Sequence, residues 1–288
     1  MAFIFPSYLQ FVTTFYKTQK RLFFLFCIIF LIICFFVLRW LFHDPIRSDR
    51  ALMALPARSD FIGRFDINEA DEFYLKFLQE KIELSSLKPL TYLQLNVERI
   101  HNIGISGTLP SNWFGGKIAI SIVPRQWITK SQFELALLEC GYREREGLWM
   151  LDNDPVAFHF VNGAIVFGDS ELLTGETGIS NRLLSFLHKV KPKGLFWIAH
   201  IQDIAEADLP INIAVGVTQS NVWGHFEFGT TEEAVSFSEN PIAINHFITT
   251  SLGRLTKQPN IIDQRGNIVR LQGELDKQML SELLQNHN

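Results

Sequence analysis

Residues 22–38 read LFFLFCIIFLIICFFVL, seventeen positions with no charge, no hydroxyl, no Gly and no Pro. No other stretch limits the chain so strongly. Fifteen of the seventeen are Leu, Ile, Phe or Val, and the other two are Cys27 and Cys34. At the helix centre such residues each favour insertion, and together they favour it by about 5–9 kcal/mol. Arg39 sits at the edge, where a long cation snorkels to the interface. Trp40, Leu41 and Phe42 extend the run to about twenty residues, enough to cross a bilayer. A buried core helix of a globular domain keeps a polar face, and this segment has none. The sequence therefore predicts a single transmembrane signal anchor over residues 22–42.

The anchor reads as uncleaved. Its apolar run is longer than the 7–15 residues of a secretory h-region, and no small-x-small site follows closely. Ile33 stands before Cys34 where a lipidation site needs a small residue. Residues 1–21 form a short tail with two open readings, an interfacial helix or a plain tail. Lys17, Lys20 and Arg21 precede the span with no acid before Asp44, while Arg39, Arg47, Arg50 and Arg58 follow it among acids. The compact N-terminal cluster tips the orientation to N-inside. The expected location is the inner membrane of a bacterial cell, single-pass, with the C-terminal region periplasmic.

All 30 acids lie after residue 42, with 22 of the 26 Lys and Arg, so the region beyond the span carries 22 − 30 = −8. That excludes the basic footprint of a nucleic-acid binder and of a polybasic lipid-binding surface. Cys140 is the one cysteine there, so no internal disulfide forms. Residues 43–58, with Pro45 and Pro56, read as a short linker that keeps the folded region near the bilayer.

From residue 59 the pattern is α+β. Residues 60–67 alternate as a strand. Asn68 reads as the N-cap of a helix with Phe73, Phe77, Leu78 and Ile82 buried. Residues 95–107 and 117–123 read as strands. Ser131 and Glu134 read as a capping box for a helix with Phe133, Leu137 and Cys140 inward, ended by Gly141. Residues 155–161 and 164–168 form a hairpin over Asn162-Gly163, and a helix over 179–190 follows. Pro192 and Gly194 break the chain and the order restarts. Strands are expected over 195–201, 211–218 and 222–228, with helices from Thr230 or Thr231, from Pro241, and from about Asp276. A hairpin is expected over Arg265-Gly266.

Both halves thus read strand, helix, two strands, helix, two strands, helix. FIGRFDINEADEF compares with FWIAHIQDIAEADL, and VNGAIVFGDSELL with QRGNIVRLQGELDKQML. We expect two related, mostly antiparallel modules of βαββ type, residues 59–191 and 192–288.

The segment ALPARSDFIGRFDI, just after the span and linker, resembles uncharacterised bacterial single-pass membrane-anchored proteins whose outer domain opens with an LPA..D.F....D pattern. The resemblance implies an envelope location and transfers no site residues.

Catalytic patterns are sparse. Ser85 and Lys88 make a Ser-x-x-Lys pair, but roughly 0.7 such pairs arise by chance in a chain of this composition. His200 with Asp203 makes a second weak pair. His101, His159, His225 and His246 lack zinc-helix spacing. Asp152-Asn153-Asp154 lacks the Gly and Glu that a calcium loop needs. Trp113, Trp127, Trp149, Trp197 and Trp223 read as core or half-buried residues, and an exposed cluster of them would mark a partner surface.

No cofactor and no metal site is expected. The leading reading is a membrane-tethered, non-catalytic binding or assembly protein of a bacterial envelope, with the membrane engaged through residues 22–42 and a protein partner. The alternatives are a tethered hydrolase using Ser85, Lys88, His200 or Asp203, and a subunit whose span docks in a membrane complex.

Overall fold

The computed structural model describes residues 29–34, 44–72, 74–75, 87–108, 116–152, 154–202, 210–239 and 260–278. By its contacts the chain forms two units, residues 1–48 and 49–288. In the first unit, residues 29–34 are helical. Ile29, Phe30, Leu31, Ile32 and Ile33 all turn their side chains outward. Most of the predicted span lies outside the described residues. Among the described residues no helix is long and apolar enough to cross a membrane.

The second unit is built on one antiparallel sheet of twelve strands. The strands are β1 (Phe61–Asp66), β2 (Ile100–Thr108), β3 (Lys117–Pro124), β4 (Arg143–Arg145), β5 (Leu148–Met150), β6 (Val156–Val161), β7 (Ala164–Asp169), β8 (Phe196–Ile201), β9 (Asn212–Val217), β10 (Asn221–Glu227), β11 (Asn260–Arg265) and β12 (Ile268–Glu274). Their order is β11-β12-β10-β9-β8-β1-β2-β3-β7-β6-β5-β4. The chain is thus α+β, with strands from both halves in a single sheet.

The halves meet at β1 and β8, where Phe61 pairs with His200, Gly63 with Ile198 and Phe65 with Phe196. Outward from that junction the chain takes the same path on each side. The first half runs β1-β2-β3-β7-β6 and the second runs β8-β9-β10-β12-β11. Followed outward from the Phe65–Phe196 pair, the registers run through Ile103 and Ile122 to Ile165 of β7, and through Val217 and Val222 to Gly273 of β12. Both outer hairpins turn over two residues, Asn162-Gly163 between β6 and β7 and Gly266-Asn267 between β11 and β12.

Residues paired across strands share a face. One face carries Phe65, Ile103, Ile122, Ile165 and Phe158 in the first half, and Phe226, Val269 and Leu271 in the second. Helix α3 (Lys130–Glu139) covers the first group and α6 (Thr231–Glu239) the second. The opposite face carries small and polar residues such as Gly104, Ser121 and Ala199 together with Ile62, Val123 and Trp197. It is covered by α1 (Arg50–Met53) and approached by α5 (Asn181–Val190), whose Lys189 reaches Glu227 at 2.6 Å. Two shorter helices, α2 (Lys88–Tyr92) and α4 (Ser170–Leu173), complete the described set.

Residues 49–58 are not a free linker. Ala51, Leu52, Ala54 and Leu55 are almost fully buried. Asp49 caps α1 through Ala51 N and Leu52 N and also pairs with the Arg64 guanidinium. Ser121 Oγ donates to Ala51 O at 2.6 Å. Gly104 lies under α1, where a Cβ would come within 3.0 Å of Ala51 O. Gly178 N donates to Leu55 O, and Ala57 N to Glu176 O. The apolar run ALMALP is therefore core, and Pro56 ends the helix rather than opening a spacer.

Several caps also fall elsewhere than the sequence predicts. Asp71, not Asn68, accepts from Tyr74 N, and Asp66 caps a 3-10 turn over Ile67–Glu69. The rest of the helix expected over 68–82, the helix expected from Pro241 and most of the last one lie outside the described residues. The hairpin β4–β5 turns at Glu146-Gly147 with both φ positive.

Candidate interaction surface

The chain from Pro124 to Glu139 shows how a row of apolar side chains comes to face water. Thr129, not Ser131, caps α3. Its Oγ1 accepts from Gln132 N at 3.2 Å, and Gln132 Oε1 accepts from Thr129 N at 2.9 Å. Ile128 precedes the cap and Phe133 is the fourth helical residue. Both are buried in one core, the arrangement of a hydrophobic staple. With Ile128 turned in, Trp127 turns out and is 78% exposed. Along α3, Phe133, Ala136 and Leu137 face the sheet and are fully buried. Leu135 and Leu138, three apart on the outer side, are 51% and 57% exposed. Helix α2 packs beside α3. It buries Leu90 and leaves Tyr92 on the same outer surface.

These side chains form an open groove of about 290 Å³, lined by Tyr92, Trp127, Ile128 and Leu135 with Gln126 and Gln132. Monomeric proteins scatter single apolar residues over their surface, whereas a contiguous group marks a contact site. Tyr and Trp are favoured in such sites because each joins a large apolar body to a polar edge.

The other tryptophans follow expectation where they are described. Trp149 and Trp197 are buried, and Trp223 is half-buried with its Nε1 donating to Lys193 O. Trp127 breaks the pattern. The sequence signal that places it was the Ile128…Phe133 staple about Thr129. Setting the cap two residues late, at Ser131, hid the outer row.

Ser85 and Asp203 lie outside the described residues. Lys88 opens α2, and His200 is half-buried on β8 opposite Phe61. Burial pushes the Cys140 thiol up; the Lys88 cation opposes this and Glu139 adds to it, so the thiol lacks the depressed pKa of a nucleophile. Burial holds His159 below its usual value, with Lys130 adding to the effect, and lowers His225 to about 4, with Arg270 adding. Both stay neutral at physiological pH, as expected of imidazoles packed for structure rather than for proton transfer. Asp152 pairs with Arg145, and Asp154 Oδ1 accepts from Val156 N. Among the described residues no group of His, Cys, Asp and Glu is placed to hold a metal ion.

No family model matches the chain, and no curated protein matches it. The fold is similar to solved structures of TP0453. Crystal form I has 10% identity and a TM-score of 0.43, covering 83% of this chain and 98% of that chain. Crystal form III has 10% identity and a TM-score of 0.45, covering 82% and 98%.

Proposed function

We propose that this chain is a membrane-tethered, non-catalytic binding or assembly protein of a bacterial envelope, working through the surface around Trp127. The tether is residues 22–42, and the large unit lies on the periplasmic side of the inner membrane. The outward side chains of residues 29–33 support the tether, since a helix in lipid presents apolar residues all round. The observation that carries the binding role is the joint exposure of Tyr92, Trp127, Leu135 and Leu138. Keeping that area in water is unfavourable by about 25 cal/mol per Å² of apolar surface. The fold leaves about half of Tyr92, Leu135 and Leu138 and most of Trp127 in water, and a contact partner accounts for that exposure.

We also infer that the large unit descends from a duplicated βαββ module. The shared strand path on the two sides of the β1–β8 pair supports this. So do matching helices. Thr129 with Gln132 opens α3, and Thr230 with Glu233 opens α6 by the same reciprocal bonds. In this reading the two modules share a scaffold, and the apolar outer row of α3 is what the first module adds.

A photo-crosslinking residue placed at 127 and, separately, at 236 tests the binding role in native membranes. The reading predicts adducts from position 127 and none above background from position 236. Equal yields at the two positions, or none at either, would exclude it.

A further inference from the structure

We infer that residues 49–58 are a latch, a peptide ligand that the sheet holds in a cleft of its own. The large unit then stays joined to this segment after the chain is cut between Arg58 and Ser59. The latch rests on the fold, and its consequence for the membrane rests on the tether proposed above.

The cleft is made by short side chains. Helix α1 lies across β1, β2 and β3. Gly104 of β2 and Ser121 of β3 are paired beneath it. A Cβ on Gly104 would come within 3.0 Å of Ala51 O and of Leu55 Cδ1. The segment thus reaches the sheet through its backbone as well as its side chains, and Ala51, Leu52, Ala54 and Leu55 are buried there.

Most of the polar contacts go to atoms that any peptide carries. Ser121 Oγ donates to Ala51 O at 2.6 Å, and Gly178 N to Leu55 O at 2.7 Å. Ala57 N donates to Glu176 O at 2.9 Å, and Pro56 bridges to Thr177. In peptide recognition such main-chain bonds supply affinity, and side-chain contacts supply specificity. Specificity here falls on one acid. Asp49 pairs with the Arg64 guanidinium, which Asp66 also holds at 2.9 Å. The cation is therefore placed without the segment. The ligand class is a short peptide with an acid ahead of one apolar turn and a Pro that ends it.

The two sides of the Arg58–Ser59 bond are fixed independently. Arg58 is exposed. Beyond it, Asp60 N donates to Gly107 O at 2.8 Å, and Asp60 O accepts from Ile201 N at 2.9 Å. The cleft holds one side and the sheet ladder the other, so the bond between them is dispensable to the contact.

Two full-length variants test this in isolated membranes. One carries a protease site between Ser48 and Asp49, the other between Arg58 and Ser59. Uncut, both should melt as wild type does; if the second does not, a site between Ser59 and Asp60 replaces it. Cutting after Ser48 should send the large unit into the soluble fraction. Cutting after Arg58 should leave it on the membrane, and an excess of synthetic peptide 49–58 should then release it. Asp49→Ala added to the second variant should raise the released fraction several-fold. If the second cut releases the large unit as fully as the first, the latch is wrong and the tether stands. If the uncut chain is absent from the membrane fraction, the tether fails. Gel filtration of the second variant after cutting then decides the latch: co-elution of the two fragments upholds it, and separation overturns it.

Discussion

Helices α3 and α6 occupy corresponding places in the sheet and do opposite things with their outer sides. Each follows the third strand of its half, and each is opened by a Thr with a Gln or Glu three residues on. Each buries one row against the same face, Phe133, Ala136 and Leu137 in α3 and Ala234 and Phe237 in α6. Counted from the capping Thr, Leu135 and Leu138 of α3 fall where α6 has Ser236 and Glu239. The scaffold therefore asks for the inner row only. An outer Leu on α3 answers to something beyond the fold, because α6 holds its place without one.

The largest expected effects lie on the shared inner rows. Phe133→Ala and Phe237→Ala should each lower unfolding free energy by about 3–5 kcal/mol in denaturant melts of the full chain. A markedly smaller loss at Phe237 would show that α6 is not the equal support that the comparison assumes.

The N-terminal clamp comes next, and it has no counterpart among the described residues of the second half. Asp49→Ala removes the cap of α1 and one of the two carboxylates beside the Arg64 guanidinium, which keeps Asp66 at 2.9 Å, at a cost of about 1–3 kcal/mol. Asp49→Asn keeps a capping oxygen and should cost less. Equal losses would remove the ion pair from the account.

Acid should act on both halves, and more on the second. His225 is lowered to about 4 and His159 is lowered less far, both chiefly by burial. The unfolded imidazole titrates near 6.5, so the unfolded chain binds protons first. Stability is then full above pH 6.5 and falls as pH drops toward 4. His225→Gln should flatten the thermal midpoint over that window more than His159→Gln. The reverse order would contradict the assigned burial.

Smaller still are the caps. Thr129→Ala and Thr230→Ala should each cost about 1 kcal/mol. Smallest is the swap that defines the comparison: Leu135→Ser with Leu138→Glu should change stability by no more than about 0.5 kcal/mol. A loss of several kcal/mol would mean that those leucines serve the fold.

Much of this architecture was legible in the sequence because it is written in local signals. Period-2 runs gave most of the strands, Asn162-Gly163 gave its hairpin, and Gly141 with φ +87 gave the end of α3. What stayed hidden depended on contacts distant in sequence. Nothing local says that residues 49–58 pack under Gly104 and Ser121, or that β1 and β8 join the halves into one sheet. The surface was half legible. Its tryptophan was noted, but its outward direction follows from Thr129 rather than Ser131 holding the cap, and two hydroxyl residues two positions apart compete for that role on sequence alone.

The central claim is that the outer row of α3 with Trp127 and Tyr92 is covered in the working protein. Hydroxyl-radical footprinting of the full chain in native membranes and in detergent tests it directly. The account predicts that Tyr92, Trp127, Leu135 and Leu138 are labelled strongly in detergent and protected in membranes, while labelling across the exposed outer side of α6 is the same in both. Equal labelling of the Trp127 surface in the two conditions would contradict it.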